Sequence, residues 1–335
     1  MAAVTLSGVA RHAGVSLATA SRVLNGSDRR PAEKIAERVR AAALELGYVP
    51  NAQAQALARS STGLVGLVVH DISDPYFSSI ARGVQHAARG YNRQVLLAST
   101  DPSETAEWDA VSAFASHRTD AIILAGSRKV APEPDLEREL VRYEKNGGRV
   151  VTVGGSPGAG ITLPVGNYDG AMALVAKLIS QGRNRFAILA GPEGLNTARD
   201  RVAGFAAALE AAHLAPAAVI VSEFTREGGY DAAQQCWEQL GGERGVCLLA
   251  VNDVMAIGAI AGLRSIGVAV PADALVTGFD DIPTLRDYCP GLTTVRLPLE
   301  LIGENAAHLA FSQGGGNPGV ITGEIILRES TETPS

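Results

Sequence analysis

Short apolar runs recur in two successive series, and that rhythm limits the fold of this 335-residue chain more than any other feature. The first series is LVGLVV (64–69), QVLLA (94–98), AIILA (121–125) and VVTVG (150–154). The second is FAILA (186–190), VIV (219–221), VCLLAV (246–251) and LVTGF (275–279). A strand covered on both faces has no solvent side, so it reads as an unbroken apolar run rather than an alternating one. Helical stretches lie between the runs, which makes each series a set of βαβ units. The expected fold is an α/β core of two doubly wound parallel-sheet subdomains. A ligand is expected at the carboxyl ends of the strands, in the cleft between the two. LTTV (292–295), a helix from about Leu299 and VITGEIILRES (320–330) are expected to cross back between the subdomains, so the partition is not strictly sequential.

The first fifty residues have a different texture. Leu6, Val9, Ala10 and Ala13 fall on one face of a helix that Thr5 can cap. Gly14-Val15-Ser16 interrupts it, and Ser16 starts a second helix with Ala20, Val23 and Leu24 turned inward, ending at Asn25-Gly26. A third runs from about Ala32 to Gly47, with Ile35, Val39, Ala43 and Leu46 inward. Two helices joined by a tight turn, the second exposing Leu17, Ala18, Ser21 and Arg22, form a helix-turn-helix. Charge supports a nucleic-acid role for this piece alone. Residues 1–61 hold eight Lys/Arg against four Asp/Glu, while the rest holds 21 against 31, within an overall net charge of −6. A small basic head on an acidic body is the asymmetry expected when one module touches phosphates. Between them, AQAQALARSS (52–61) has good helix formers but one large apolar residue, Leu57. Such a segment has no stripe to bury and becomes ordered only by pairing with something.

Other classes find little support. With 46% hydrophobic and 19% charged residues and no bilayer-length apolar run, no membrane association is expected. Arg11 and His12 interrupt what a secretory peptide would keep apolar, so a cytoplasmic location is expected. Cys236, Cys247 and Cys289 show no CxxC spacing and read as small apolar residues, not as disulfides or metal ligands. GxSxG, GxxxxGK[ST] and HExxH motifs are missing, GSPGAG (155–160) is too irregular to count, and the six histidines are dispersed. No catalytic residue, cofactor or metal is expected.

Several segments stand together in a familiar order: VTLSGVARHAGVSLATASRVLNG (4–26), LGYVPNAQAQALA (46–58), DPYFSSIARGVQHAA (74–88), LAGP (189–192) with RVAGF (201–205), VNDVMAIGA (251–259), TGFDD (277–281), LTTVRLPLELIGENA (292–306) and LRESTE (327–332). From about residue 4 to 332 the chain resembles the lactose-repressor/galactose-repressor (LacI/GalR) family of transcriptional regulators. The resemblance implies a helix-turn-helix head at 1–49, a hinge helix and linker at 50–62, and a periplasmic-binding-protein-like core at 63–332. Subdomain 1 would comprise about 63–162 plus 293–320, and subdomain 2 about 163–292 plus 321–332.

It further implies that the second helix lies in the major groove of double-stranded operator DNA with Leu17, Ala18 and Arg22 facing the bases. Arg22 can bond bidentately to guanine, whereas Leu17 and Ala18 offer apolar contact, for example to a thymine methyl. Thr5, Ser16, Thr19, Ser21 and Asn25 would position the head through phosphates. Asn51 would join the DNA contacts, and Leu57 would wedge into the minor groove of a site bound by a homodimer. In the core, Tyr76 and Phe77 would form one wall of an effector pocket and Phe224 the other, with Thr197, Arg201, Asn252 and Asp280 holding the ligand. Asp280 would accept from two hydroxyls and Arg201 would donate two parallel hydrogen bonds. The effector is expected to be a sugar or sugar derivative. The alternatives are a purine or nucleoside co-repressor and a solute-binding protein with no DNA role. No leucine heptad follows Arg328, so a dimer rather than a tetramer is expected.

Departures from the family pattern are also visible. Gly154-Gly155 replaces an acidic residue, Gly166-Asn167 an Asp-Asn pair and Gly182-Arg183 a Gly-His pair, thinning the pocket's hydroxyl acceptors. Gly8 and Ala32 stand where an acidic residue and a serine cap are usual. A glycine inside a helix costs roughly 1 kcal/mol against alanine, so a less stable head is expected.

Overall fold

The computed structural model describes residues 4–25, 31–49, 61–101, 103–131, 133–312 and 318–332. The expected hinge contacts Asn51 and Leu57 lie outside these residues. Contacts divide the chain into two compact units, residues 1–63 and 64–335.

The first unit contains α1 (Leu6–His12), α2 (Leu17–Asn25) and α3 (Glu33–Glu45). Thr5 Oγ1 accepts from the Gly8 amide, and Ser16 Oγ accepts from the Thr19 amide at 3.1 Å, so both N-termini are capped as expected. Gly14, at φ +60°, makes the turn between them. Ala32 leaves α3 without a side-chain cap. The core is small: Val9, Ala10, Ala13, Ala20, Val39, Ala42 and Ala43 are buried, with Leu6, Val23, Leu24 and Leu46 packed against them.

In the second unit, β1 (Leu64–Val69), β2 (Gln94–Ser99), β3 (Ala121–Ala125), β4 (Arg149–Val153) and β5 (Ile161–Leu163) form a parallel sheet in the order β2-β1-β3-β4-β5. Helices α4 (Pro75–Gly90), α5 (Glu104–Ser116) and α6 (Pro134–Lys145) connect its first four strands. After α7 (Asn167–Ser180) the pattern restarts with β6 (Phe186–Ala190), α8 (Asn196–Ala211), β7 (Ala218–Val221), α9 (Arg226–Gln239), β8 (Cys247–Ala250), α10 (Asp253–Ser265) and β9 (Leu275–Thr277). Its sheet runs β7-β6-β8-β9, the same winding. Each order reverses direction at one point, between β1 and β3 and between β6 and β8. A crevice opens there at the carboxyl ends of the strands.

Three details differ from the sequence reading. β5 was not anticipated: three residues are too few for a periodicity to register. β2 and β7 are edge strands, so Leu97, Val219 and Val221 remain exposed, although their runs look as apolar as the central ones. Finally, β10 (Thr294–Arg296) pairs antiparallel with β11 (Glu324–Ile326). Bridges from Thr277 to Thr293 and from Asp280 to Arg296 set β10 beside the second sheet. The return to the first lobe is made by α11 (Leu299–Phe311). There Gly83 and Gly303 let α4 and α11 touch backbone to backbone; a Cβ on either would lie within 2.1 Å of a carbonyl oxygen. Among the described residues, no helix is long and apolar enough to cross a membrane.

Candidate effector cleft and DNA-reading helix

All seven residues expected at the effector, Tyr76, Phe77, Thr197, Arg201, Phe224, Asn252 and Asp280, line one cleft of about 660 Å³ in the second unit. The winding explains why. Tyr76 and Phe77 follow β1, Thr197 and Arg201 follow β6, Phe224 follows β7, Asn252 follows β8 and Asp280 follows β9. Each is delivered by the carboxyl end of a strand. Asp74 caps α4 by accepting from the Tyr76 amide at 2.9 Å, which seats Tyr76 and Phe77 edge to face with centroids 5.0 Å apart.

Arg201 is the centre of the second lobe and is 2% exposed. Its two terminal nitrogens meet the Asp280 carboxylate at 2.7 and 3.4 Å, Nε donates to Asn167 Oδ1 at 2.9 Å, and the Val251 carbonyl accepts at 2.7 Å. The guanidinium also lies 3.9 Å from the centroid of the Phe279 ring. The parallel pair of donors that the sequence reading assigned to a ligand is therefore engaged by Asp280. Asn167 was missed as a site residue, although it belongs to the Gly166-Asn167 pair already singled out.

Asp280 is held from behind. Its amide donates to Val295 and its carbonyl accepts from Leu297, both on the returning segment. Asp280 and Asp281 sit at φ 119° and 55°, conformations that cost energy in residues other than glycine and persist where the surroundings over-determine them. Asp281 supplies that restraint through Arg296 and Arg328, each at 2.7 Å. Burial pushes the Asp280 carboxyl up to about 6, with Arg201 pulling the other way. Asp253 goes higher, to about 7, through burial and then the Asp280 charge; hydrogen bonds from Thr294 and the Ile282 amide oppose the rise. Asn252 spends Oδ1 capping α10 at the Met255 amide, 2.9 Å away. Its Nδ2 has no partner among the described residues.

The first lobe contributes a buried cluster that the sequence reading missed. Glu107 receives Arg128 through both terminal nitrogens, and His70 Nε2 stands 3.3 Å from the same carboxylate. Burial alone would raise Glu107, but hydrogen bonds from His70 and Arg128 hold it down at about 2. His70 also lines the cleft, tilted against Phe77 at a centroid distance of 5.7 Å. The three residues come from separate elements, and no local pattern links them. The loop after β3 then reaches the second lobe: Val130 N donates to Gly194 O, and Asn196 N to Arg128 O.

In the head, α2 buries Ala20 and exposes Leu17, Ala18 and Arg22. Ser16 and Thr19 bond to each other through their hydroxyls at 2.8 Å, and Asn25 donates to Ser21 at 3.0 Å. Thr5 is exposed at the N-cap of α1.

A helix-turn-helix unit and a two-lobed α/β body with a ligand-sized cleft define a DNA-binding regulator with an effector domain. Residues 5–51 match the profile of the lacI family of bacterial regulatory proteins, and residues 175–331 that of the periplasmic binding protein-like domain. The HTH-type transcriptional regulator GalR of Escherichia coli (strain K12) is 33% identical over 341 residues, covering 99% of this chain and 96% of GalR. The crystal structure of the lac repressor dimer bound to operator and the anti-inducer ONPF aligns with a TM-score of 0.84 at 27% identity, covering 98% of this chain and 99% of that one. A complex of the transcriptional regulator CelR with cellobiose gives 0.70 at 28%, with coverages of 98% and 99%. The chain belongs to the LacI family and is a DNA-binding transcriptional regulator; the relatives it matches are regulators rather than enzymes.

Proposed function

We propose that the protein is a cytoplasmic repressor that binds a pseudo-palindromic operator as a homodimer and is controlled by a sugar or sugar derivative in the cleft. The observation that carries the DNA half is α2, which buries Ala20 and leaves Leu17, Ala18 and Arg22 as an exposed face. Arg22 reads guanine, Leu17 and Ala18 choose bases by fit, and Thr5, Ser16, Thr19, Ser21 and Asn25 set the register on phosphates. Asn51 adds a DNA contact, and Leu57 wedges the central step. The lac repressor structure, a dimer on operator, supports the assembly. The convergence of seven residues from five strand ends supports the effector half.

Ligand acts by biasing how the two lobes sit, and the coupling is reciprocal: the factor by which ligand changes operator affinity is the factor by which operator changes ligand affinity. A purine or nucleoside effector is the second reading, favoured by aromatic rings on both walls, Tyr76 and Phe77 against Phe224. Selection of bound DNA from a random pool, wild type beside Arg22→Ala and Leu57→Ala, tests the DNA half. A pseudo-palindrome weakened by both substitutions is expected. No enrichment with or without any ligand would defeat the repressor reading.

A further inference from the structure

We propose that the loop after β3, residues 127–130, is a strap by which the first lobe caps α8 of the second, and that the lobes part only when it is released. The strap acts between the lobes themselves and serves a sugar or a purine effector alike.

Helix α8 begins without a cap of its own. Its N-cap residue is Leu195, which has the extended backbone of a cap but no side-chain acceptor. The first amides of a helix have no partner within it and need one from outside. At α4, α9 and α10 the chain's own Asp74, Thr225 and Asn252 meet that need. At α8 the first lobe meets it: Asn196 N donates to the Arg128 carbonyl at 2.9 Å, and Thr197 N to Ser127 Oγ at 3.3 Å. Two more bonds tie the same segments. Val130 N donates to the Gly194 carbonyl at 2.8 Å, and Asn196 Nδ2 to the Lys129 carbonyl at 3.1 Å. Lys129 and Leu195 thereby face each other as an antiparallel bridge between the lobes.

The first lobe also fixes the strap's seat. Arg128 is 2% exposed, gives both terminal nitrogens to Glu107, and donates from Nε to the Gly126 carbonyl at 3.4 Å. A paired, charge-assisted clamp of this kind holds the backbone at 126–128, and with it the carbonyl that meets Asn196. Two glycines make room. A Cβ on Gly126 would lie 2.3 Å from His70 Nε2. One on Gly155 would lie 3.0 Å from Arg128 Cβ and 3.3 Å from Asn196 Nδ2. The Gly154-Gly155 pair, a departure from the family pattern, therefore has a use: Gly155 lets Arg128 and Asn196 close up without a side chain between them. His70 lines the cleft and stands 3.4 Å from Arg128, so a group bound against His70 and the strap share one arginine.

The test is hydrogen exchange of the full chain without added ligand, read at single amides. First-turn amides of a helix ordinarily exchange fast, so protection at Asn196 and Thr197 reports the strap. Val130, Asn196 and Thr197 belong to two different lobes and are expected to open as one unit, with closely similar protection. Ser127→Ala should speed exchange at Thr197 about fivefold. Gly155→Val leaves every bonding group in place but wedges the strap, and should speed all three amides about tenfold. The β6 amides of Ile188 and Leu189 should keep their rates in both variants. Lys129→Cys with Leu195→Cys, in a Cys289→Ser chain, should close to a disulfide on mild oxidation and restore slow exchange to Gly155→Val. Unprotected Asn196 and Thr197 in the wild type overturn the proposal. So do unchanged rates in both variants, equal acceleration of β6, or failure of the disulfide to form.

Discussion

The first lobe turns its buried charge on itself, while the second keeps buried charge on the cleft wall. Both have the same winding and present the same strand ends. Glu107 and Arg128 close a pair behind His70, and of the three only His70 lines the cleft. Arg201 and Asp280 both line it, with Asp253 buried behind them. In the first lobe hydrogen bonds from His70 and Arg128 outweigh burial and hold Glu107 ionised, at about 2. In the second lobe burial dominates: it takes Asp280 up to about 6 against the pull of Arg201, and Asp253 up to about 7 with the Asp280 charge adding to the rise. Both pairs are closed by an arginine, but the Arg201–Asp280 pair lies on the cleft wall, where a ligand can reach it, whereas Glu107 and Arg128 lie behind His70 and act as a support.

The largest expected effect is on the closed pair. Arg128→Ala strands Glu107 in the first lobe and should cost about 3–5 kcal/mol in urea unfolding. A loss below about 1 kcal/mol, the scale of an exposed pair, would break the contrast by showing that water reaches Glu107.

Next in size is a pH dependence carried by the second lobe. The folded pKa values of Asp253 and Asp280 lie above the ordinary 3.8, so the native state binds more protons than the unfolded chain in that interval. Their contribution to stability is full below about pH 4 and declines as pH rises to about 7. Asp253→Asn should flatten this part of the profile in denaturant melts taken between pH 4 and 7.5, and an unchanged slope would remove Asp253 as its source.

Glu107 should show the opposite sign in a different window. Its folded pKa is depressed from 4.5 to about 2, so its contribution is present above about pH 4.5 and lost as pH falls toward 2. Acid unfolding of Glu107→Gln should lack that component. If both lobes gave the same sign, the comparison would fail.

The smallest effect concerns the helix start at the cleft. Asn252→Ala removes the α10 cap and should cost about 1 kcal/mol in thermal melts. A much larger loss would mean that its Nδ2 already has a structural partner.

The sequence by itself determined the elements and their winding, because the signals involved are local. Unbroken apolar runs marked β1, β3 and β6, and Thr5 and Ser16 announced their helices through a bond made three residues on. Positions within known motifs also brought Tyr76, Phe77, Arg201 and Asp280 into view. Tertiary structure decided what those residues do to one another. Arg201 and Asp280 are 79 positions apart, and nothing near either one announces that the carboxylate takes the arginine's paired donors. His70, Glu107 and Arg128 were invisible for the same reason. The exposed edges β2 and β7, and the three-residue β5, depended on sheet neighbours rather than on their own composition. A helix or a strand run is written in residues a few positions apart, whereas a buried charge takes its partner, and its proton affinity, from whatever the completed fold sets against it.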